Sequence, residues 1–98
     1  PDAHLILGHA GGRPSTAETV VDLCERYPQV AVDLAGDYFD SGLVGMLCDR
    51  IGPERVLFSS DMNWIDPRCA LGAVLGSQLS DEDVLKCLRG NALTLLGE

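Results

Sequence analysis

Basic residues are scarce in this chain: seven Lys and Arg stand against fifteen Asp and Glu in 98 residues, a formal charge of −8 with a pI near 4.4. No basic stripe exists to displace counterions, which excludes a duplex or other phosphate-rich partner. The same deficit disfavours an anionic membrane surface. No apolar run approaches the roughly 20 residues that a membrane span needs. Cys24, Cys48, Cys69 and Cys87 form no Cys-x-x-Cys pair, so neither a zinc ribbon nor a thioredoxin-type redox motif is available. Each lies in a stretch of helical periodicity beside apolar neighbours, and reduced, buried thiols of a cytoplasmic protein are expected. Gly8-His9-Ala10-Gly11-Gly12 lacks the G-x-G-x-x-G spacing of a dinucleotide fingerprint, and no P-loop occurs.

What is present is an alternation of short apolar runs with amphipathic segments. A hydrophobic content of 46% and a mean hydropathy of +0.12 place the chain among globular proteins. His4 to His9 reads as a buried strand, followed by turn glycines Gly11 and Gly12. Ser15-Thr16-Ala17-Glu18 has the pattern of a capping box, and Ala17, Val20, Val21 and Cys24 behind it recur at the spacing of one helix face. Tyr27-Pro28 ends that helix. Val30 to Gly36 predicts a second strand, and Leu43, Met46, Leu47 and Ile51 a second helical stripe stopped by Gly52-Pro53. Arg55 to Asp61 predicts a third strand. Asp66-Pro67 opens a helix carrying Ala70, Leu71, Val74 and Leu75, and Ser80-Asp81-Glu82-Asp83 opens another with an acidic first turn. Arg89 to Gly97 reads as a short closing helix.

Strands apolar on both faces imply a parallel sheet covered by helices. His9 to Asp33 spans 24 residues and Asp33 to Asp61 spans 28. An eight-unit barrel of about 250 residues allots about 31 to each unit. The fold class expected is therefore α/β, residues 1–98 being the last three βα units of a (β/α)8 barrel of TIM type. Three parallel strands cannot close a barrel. The chain opens on Pro1 within an approach to a strand, which fits the same expectation of a larger protein. A three-layer doubly wound sheet is the architectural alternative.

In such barrels, functional side chains stand at the C-terminal ends of strands. His9, Asp33 and Asp61 fall late in the three strands. By alternation His9 shares a strand face with Leu5 and Leu7, and Asp61 with Leu57 and Ser59. A histidine and a carboxylate at one mouth suit proton transfer or ligation of a borderline divalent ion such as zinc. The same residues also read as a turn histidine and a helix-capping or Asx-turn aspartate. Asp33, set earlier in its strand, reads as a buried carboxylate accepting hydrogen bonds, and Asp37, Asp40 and Asp66 as loop and cap residues. Trp64, the single tryptophan, follows Asp61 by three residues and either walls a substrate pocket or packs its loop. Arg13 reads as a solvated loop residue and His4 as structural.

Four segments taken together resemble the C-terminal part of an amidohydrolase-related protein, in the metal-dependent branch that includes aminocarboxymuconate-semialdehyde decarboxylase. They are Leu7 to Gly12, Tyr27 to Gly36, Arg55 to Asp61, and Asn91-Ala92 ahead of Leu95-Leu96-Gly97. The resemblance implies a (β/α)8 barrel with a divalent metal, usually zinc, at its mouth. It implies that Asp61 is a metal ligand and general base. It makes His9 a proton-transfer residue, or a ligand where a second metal is bound. The first-strand His-x-His pair and the fifth-strand histidine of the family are absent, Asn63 stands where proline is common, and Ser59 where glycine is. These 98 residues alone are thus expected to be inactive and to need the missing N-terminal part of the same barrel.

The function expected is hydrolysis of a small molecule through a metal-activated water, with catalytic His9 and Asp61, metal ligand Asp61 and substrate-binding Trp64. The alternatives are non-oxidative decarboxylation of an unsaturated or aromatic acid, and a non-catalytic α/β fragment. Neither nucleic acid nor membrane is an expected partner. An apolar face left open by missing strands makes self-association possible.

Overall fold

The computed structural model describes residues 2–9, 13–36 and 39–98. Three parallel strands, β1 (Leu5–Leu7), β2 (Val30–Asp33) and β3 (Val56–Leu57), form one sheet in the order β1-β2-β3. Helices α1 (Pro14–Arg26) and α2 (Ser41–Ile51) make the two crossovers, and α3 (Pro67–Leu75), α4 (Asp81–Leu85) and α5 (Asn91–Leu95) follow β3. Leu7 pairs with Val32, and Val32 with Val56. That register puts Val30, Val32 and Val56 on the face packed by Ala17, Val21 and Cys24 of α1 and Val44, Leu47 and Cys48 of α2. Ala31 and Leu57, on the other face, are buried but stand outside this core. Leu5 and Ile6 of the edge strand β1 are exposed.

The strands are shorter than their apolar runs, for identifiable reasons. Past Asp33 the Leu34 N–H still reaches the Leu57 carbonyl (3.0 Å), and the Asp33 carboxylate then takes the Ala35 N–H (3.0 Å) in an Asx turn that ends the ladder. β3 ends at Leu57 because the Phe58 N–H turns away to the Cys87 carbonyl (2.8 Å). The capping box does not form. Pro14, with no N–H to satisfy and a φ suited to helix, occupies the first turn, so the helix starts ahead of Ser15 with Arg13 at its N-cap and no side-chain cap. Asp40, Asp66 and Ser80 do cap α2, α3 and α4, each accepting a backbone N–H. Asp37 lies outside the described residues. Only Ala70 and Val74 of the α3 stripe are buried, whereas Leu71 and Leu75 face solvent.

The two closing helices expected separately are one continuous helical segment, joined by a π-helical turn at Lys86–Gly90. Side chains tie it to the start of β3. The buried Asn91 amide donates to the Pro53 carbonyl (2.6 Å) and the Val56 carbonyl (2.8 Å). Lys86 pairs with Glu54 (2.9 Å) and Asp83 (3.3 Å), which holds its ammonium above the ordinary lysine value and Glu54 below the ordinary glutamate value. Cys24, Cys48 and Cys87 are buried free thiols, as expected, but Cys69 is exposed. Cys48 and Cys87 lie 3.8 Å apart, and this contact together with burial pushes the Cys48 thiol up.

The N-terminal ends of the strands are gathered by Arg55. Its Nε donates to the Ile51 carbonyl (3.0 Å), and one terminal nitrogen reaches the carbonyls of Cys24 (2.7 Å), Val30 (3.3 Å), Pro28 (3.3 Å) and Tyr27 (3.4 Å). The guanidinium thus closes the C-terminal ends of α1 and α2, where a cation complements the helix dipole, onto the start of β2. Replacing Arg55 with Met removes the donors while leaving partly buried carbonyls unmatched. A loss of about 2–3 kcal/mol is expected in urea unfolding. Arg55→Lys should recover less than half, because one ammonium cannot span both helix ends; a loss below about 0.5 kcal/mol for Arg55→Met would show that the clamp does not matter.

Candidate functional site

Because the strands are parallel, their C-terminal ends lie together, opposite the Arg55 clamp. Chain segments leaving β1, β2 and β3 bring His9, Asp33 and Asp61 to that end. Simple alternation does not predict their meeting. Asp33 pairs with Leu57, so continued strands would put Asp61 on the Leu57 face and His9 on the opposite, helix-packed face with Leu7. Neither strand continues that far. His9 and Asp61 both adopt the left-handed conformation, at φ 60° and 58°. Histidine and aspartate are among the few non-glycine residues enriched there. These two turned residues undo the alternation, and His9 Nε2 comes to 3.5 Å from Asp61 Oδ2.

The pair is open to a ligand: the imidazole is 61% exposed and the carboxylate 27%. At 3.5 Å the contact is longer than a well-formed N–H···O bond, so small side-chain rotations suffice to make or release it. The loop after β3 fixes Asp61 from its main chain, since the Asp61 carbonyl accepts the N–H groups of Trp64 (3.0 Å) and Ile65 (3.2 Å). Its carboxylate is thereby left to face His9.

Asp33 supports the pair from below. Its Oδ1 accepts the His9 N–H (2.9 Å) as well as that of Ala35. This is the hydrogen-bonding role expected of a strand-end carboxylate. Gly36, at φ 120°, runs beside the imidazole; a Cβ built there would stand 3.7 Å from the ring Cγ and Nδ1. Sequence reasoning missed this arrangement of Asp33 and Gly36 around His9. Its trace in the sequence is Asp33-Leu34-Ala35-Gly36, an Asx-turn aspartate followed by a residue free to take positive φ.

Trp64 is 91% exposed and stands with Met62 and Asn63 around an open depression of about 430 Å³. It adjoins the site through its bond to Asp61 but does not cover the His9–Asp61 pair. A larger depression, about 560 Å³, lies elsewhere, lined by residues such as Cys48, Gly52, Gln78 and Asp83. It contains neither His9 nor Asp61, so size does not mark the site here.

One carboxylate and one imidazole are donor types that suit zinc and similar divalent ions. Among the described residues no group of three or more His, Cys, Asp or Glu is placed to hold a metal, whereas a catalytic zinc takes three protein ligands. The donor types fit such an ion, and the pair by itself is fewer donors than a catalytic zinc takes. No helix among the described residues is long and apolar enough to cross a membrane.

Comparison with solved structures finds two of 2,6-dihydroxybenzoate decarboxylase, one from Rhizobium and one complexed with 2,6-dihydroxybenzoate. Each is 21% identical with a TM-score of 0.74, over 96% of this chain and 34% of the other. The chain thus spans about a third of those structures. The likeness shows the fold, three βα units of a (β/α)8 barrel, and sets aside the doubly wound alternative. No curated protein matches the chain. The profile of the family described as amidohydrolase matches residues 1–97, so the parallel sheet with His9 and Asp61 at its C-terminal end belongs to the amidohydrolase family.

Proposed function

We propose that residues 1–98 are the last three βα units of a metal-dependent barrel enzyme acting on a small molecule, with His9 and Asp61 in its active site. The observation that carries this reading is the 3.5 Å approach of His9 Nε2 to Asp61 Oδ2 at the sheet's C-terminal end. Both residues adopt a left-handed conformation that costs L-amino acids of order 1 kcal/mol each.

In this mechanism Asp61 would hold a divalent ion, zinc in the first place, with further ligands from the rest of the barrel. The ion, when bound, lowers the pKa of a coordinated water towards 7 and polarises the substrate. Asp61 and His9 divide the proton work: one takes the proton of the attacking water as it adds, and His9 Nε2 delivers a proton to the leaving group. Trp64 offers an exposed aromatic face beside Asp61 for the substrate. The buried free thiols suit a reducing compartment such as the cytoplasm.

The second reading is non-oxidative decarboxylation of an aromatic or unsaturated acid. It is favoured by the decarboxylases among similar structures and by the exposed Trp64, on which a ring can stack. There the substrate carboxylate is anchored in the site and His9 protonates the carbon that loses carbon dioxide.

Asp61→Ala in the intact protein should lower turnover at least about 10³-fold and reduce bound metal. His9→Ala should lower kcat about 10²–10⁴-fold, the scale of a lost general acid–base group, with metal retained. Full turnover in both variants would dismiss the assignment. A panel of small amides, esters and aromatic acids, followed for carbon dioxide release, separates the two chemistries. Hydrolysis without carbon dioxide supports the first reading, and carbon dioxide from an aromatic acid supports the second.

A further inference from the structure

We propose that Asp33 is a positioning residue: it sets the place of the His9 imidazole by holding the His9 main chain, and neither reacts nor ligates metal. This rests on the reading of His9 as the proton-transfer group. The left-handed turn at His9 is unfavourable on its own, at φ 60° in a residue that is not glycine. Nothing in β1 stabilises it, because the strand ladder ends at Leu7. What holds it is the charge-assisted bond from the His9 N–H to Asp33 Oδ1 at 2.9 Å. The same oxygen takes the Ala35 N–H at 3.0 Å, so the carboxylate is itself locked by its own turn. That turn then delivers Gly36 alongside the imidazole, at a φ of 120° that favours glycine.

One carboxylate therefore couples two strand ends: it fixes the His9 backbone directly and one wall of the imidazole through the Asp33–Gly36 turn. Across that wall Nε2 faces Asp61 Oδ2. With the bond broken, the turn at His9 loses its partner and the imidazole drifts from Asp61. Misplacing a catalytic group by about 1 Å is enough to cost about 10²-fold in rate.

Two substitutions in the intact protein separate positioning from chemistry. Asp33→Ser keeps a hydroxyl able to accept the Ala35 N–H, and so the local turn, but is too short to reach His9. Asp33→Asn keeps a carbonyl oxygen that can accept both N–H groups but cannot transfer a proton as a carboxylate does. We expect Asp33→Ser to lose about 10–100-fold in kcat with KM and metal content near wild type. Asp33→Asn should restore kcat to within about threefold. Equal loss in both variants, or loss of metal in Asp33→Asn, would overturn the proposal in favour of a direct role; full activity in Asp33→Ser would overturn it outright.

A second readout does not depend on turnover. The His9 amide should exchange slowly with solvent in the wild type and Asp33→Asn, and at least about tenfold faster in Asp33→Ser, while Val32 and Val56 amides stay protected in all three. Equal His9 exchange in the three proteins refutes the positioning role. If no substrate of either class is turned over, the proposed reaction fails, and the exchange experiment still decides whether Asp33 holds His9.

Discussion

The convergence of five backbone carbonyls on the Arg55 guanidinium organises one end of this structure. The last carbonyls of a helix and the loop leading into a strand have no partners of their own. Here carbonyls of Cys24, Tyr27, Pro28, Val30 and Ile51 are collected by one guanidinium, the Tyr27 carbonyl also accepting the Val30 N–H. With α1 and α2 closed onto the start of β2, the valine-rich face of the sheet packs the two helices in a single register. A slip by one residue would turn Val30, Val32 and Val56 away from that core. Asn91 does the same for the final helical segment, binding it to Pro53 and Val56 at the start of β3.

Carbonyls of the helix ends and of the entry to β2 are thus gathered at the N-terminal ends of the strands, while the C-terminal ends carry His9 and Asp61. His9 and Asp61 are exposed to different degrees and meet through a loose contact. A contact left loose in the free protein is what a ligand-binding pair requires, since a tight ion pair would have to be broken to admit a substrate. The contrast between a closed end and an open end is the division of labour of parallel α/β folds, in which stability and function occupy opposite faces.

Much of this was legible in the chain. The parallel sheet followed from apolar runs such as Val30-Ala31-Val32, buried on both faces. The helix caps at Asp40, Asp66 and Ser80 followed from residue type and place, and His9, Asp33 and Asp61 from their position late in each run. The capping box at Ser15 misled because Pro14 competes for the same turn with a preset φ and starts the helix ahead of it. Strand lengths misled because Phe58 bonds to Cys87, 29 residues away in the chain, instead of to β2. The Leu71 and Leu75 positions misled because periodicity marks a helix face without saying whether anything covers it.

By itself the sequence determined the order of strands and helices, the end of the sheet at which His9, Asp33 and Asp61 lie, and the residue types present there. These are local properties, set by the alternation of apolar and polar side chains and by proline, glycine and capping residues. Only the tertiary structure decided that His9 and Asp61 meet. Their strands have opposite face parity, and the meeting depends on two left-handed residues, one of them held by a carboxylate from a third segment, Asp33. A conformation stabilised by a partner 24 residues away leaves no periodic signal, because the bond that stabilises it exists only once the strands are side by side.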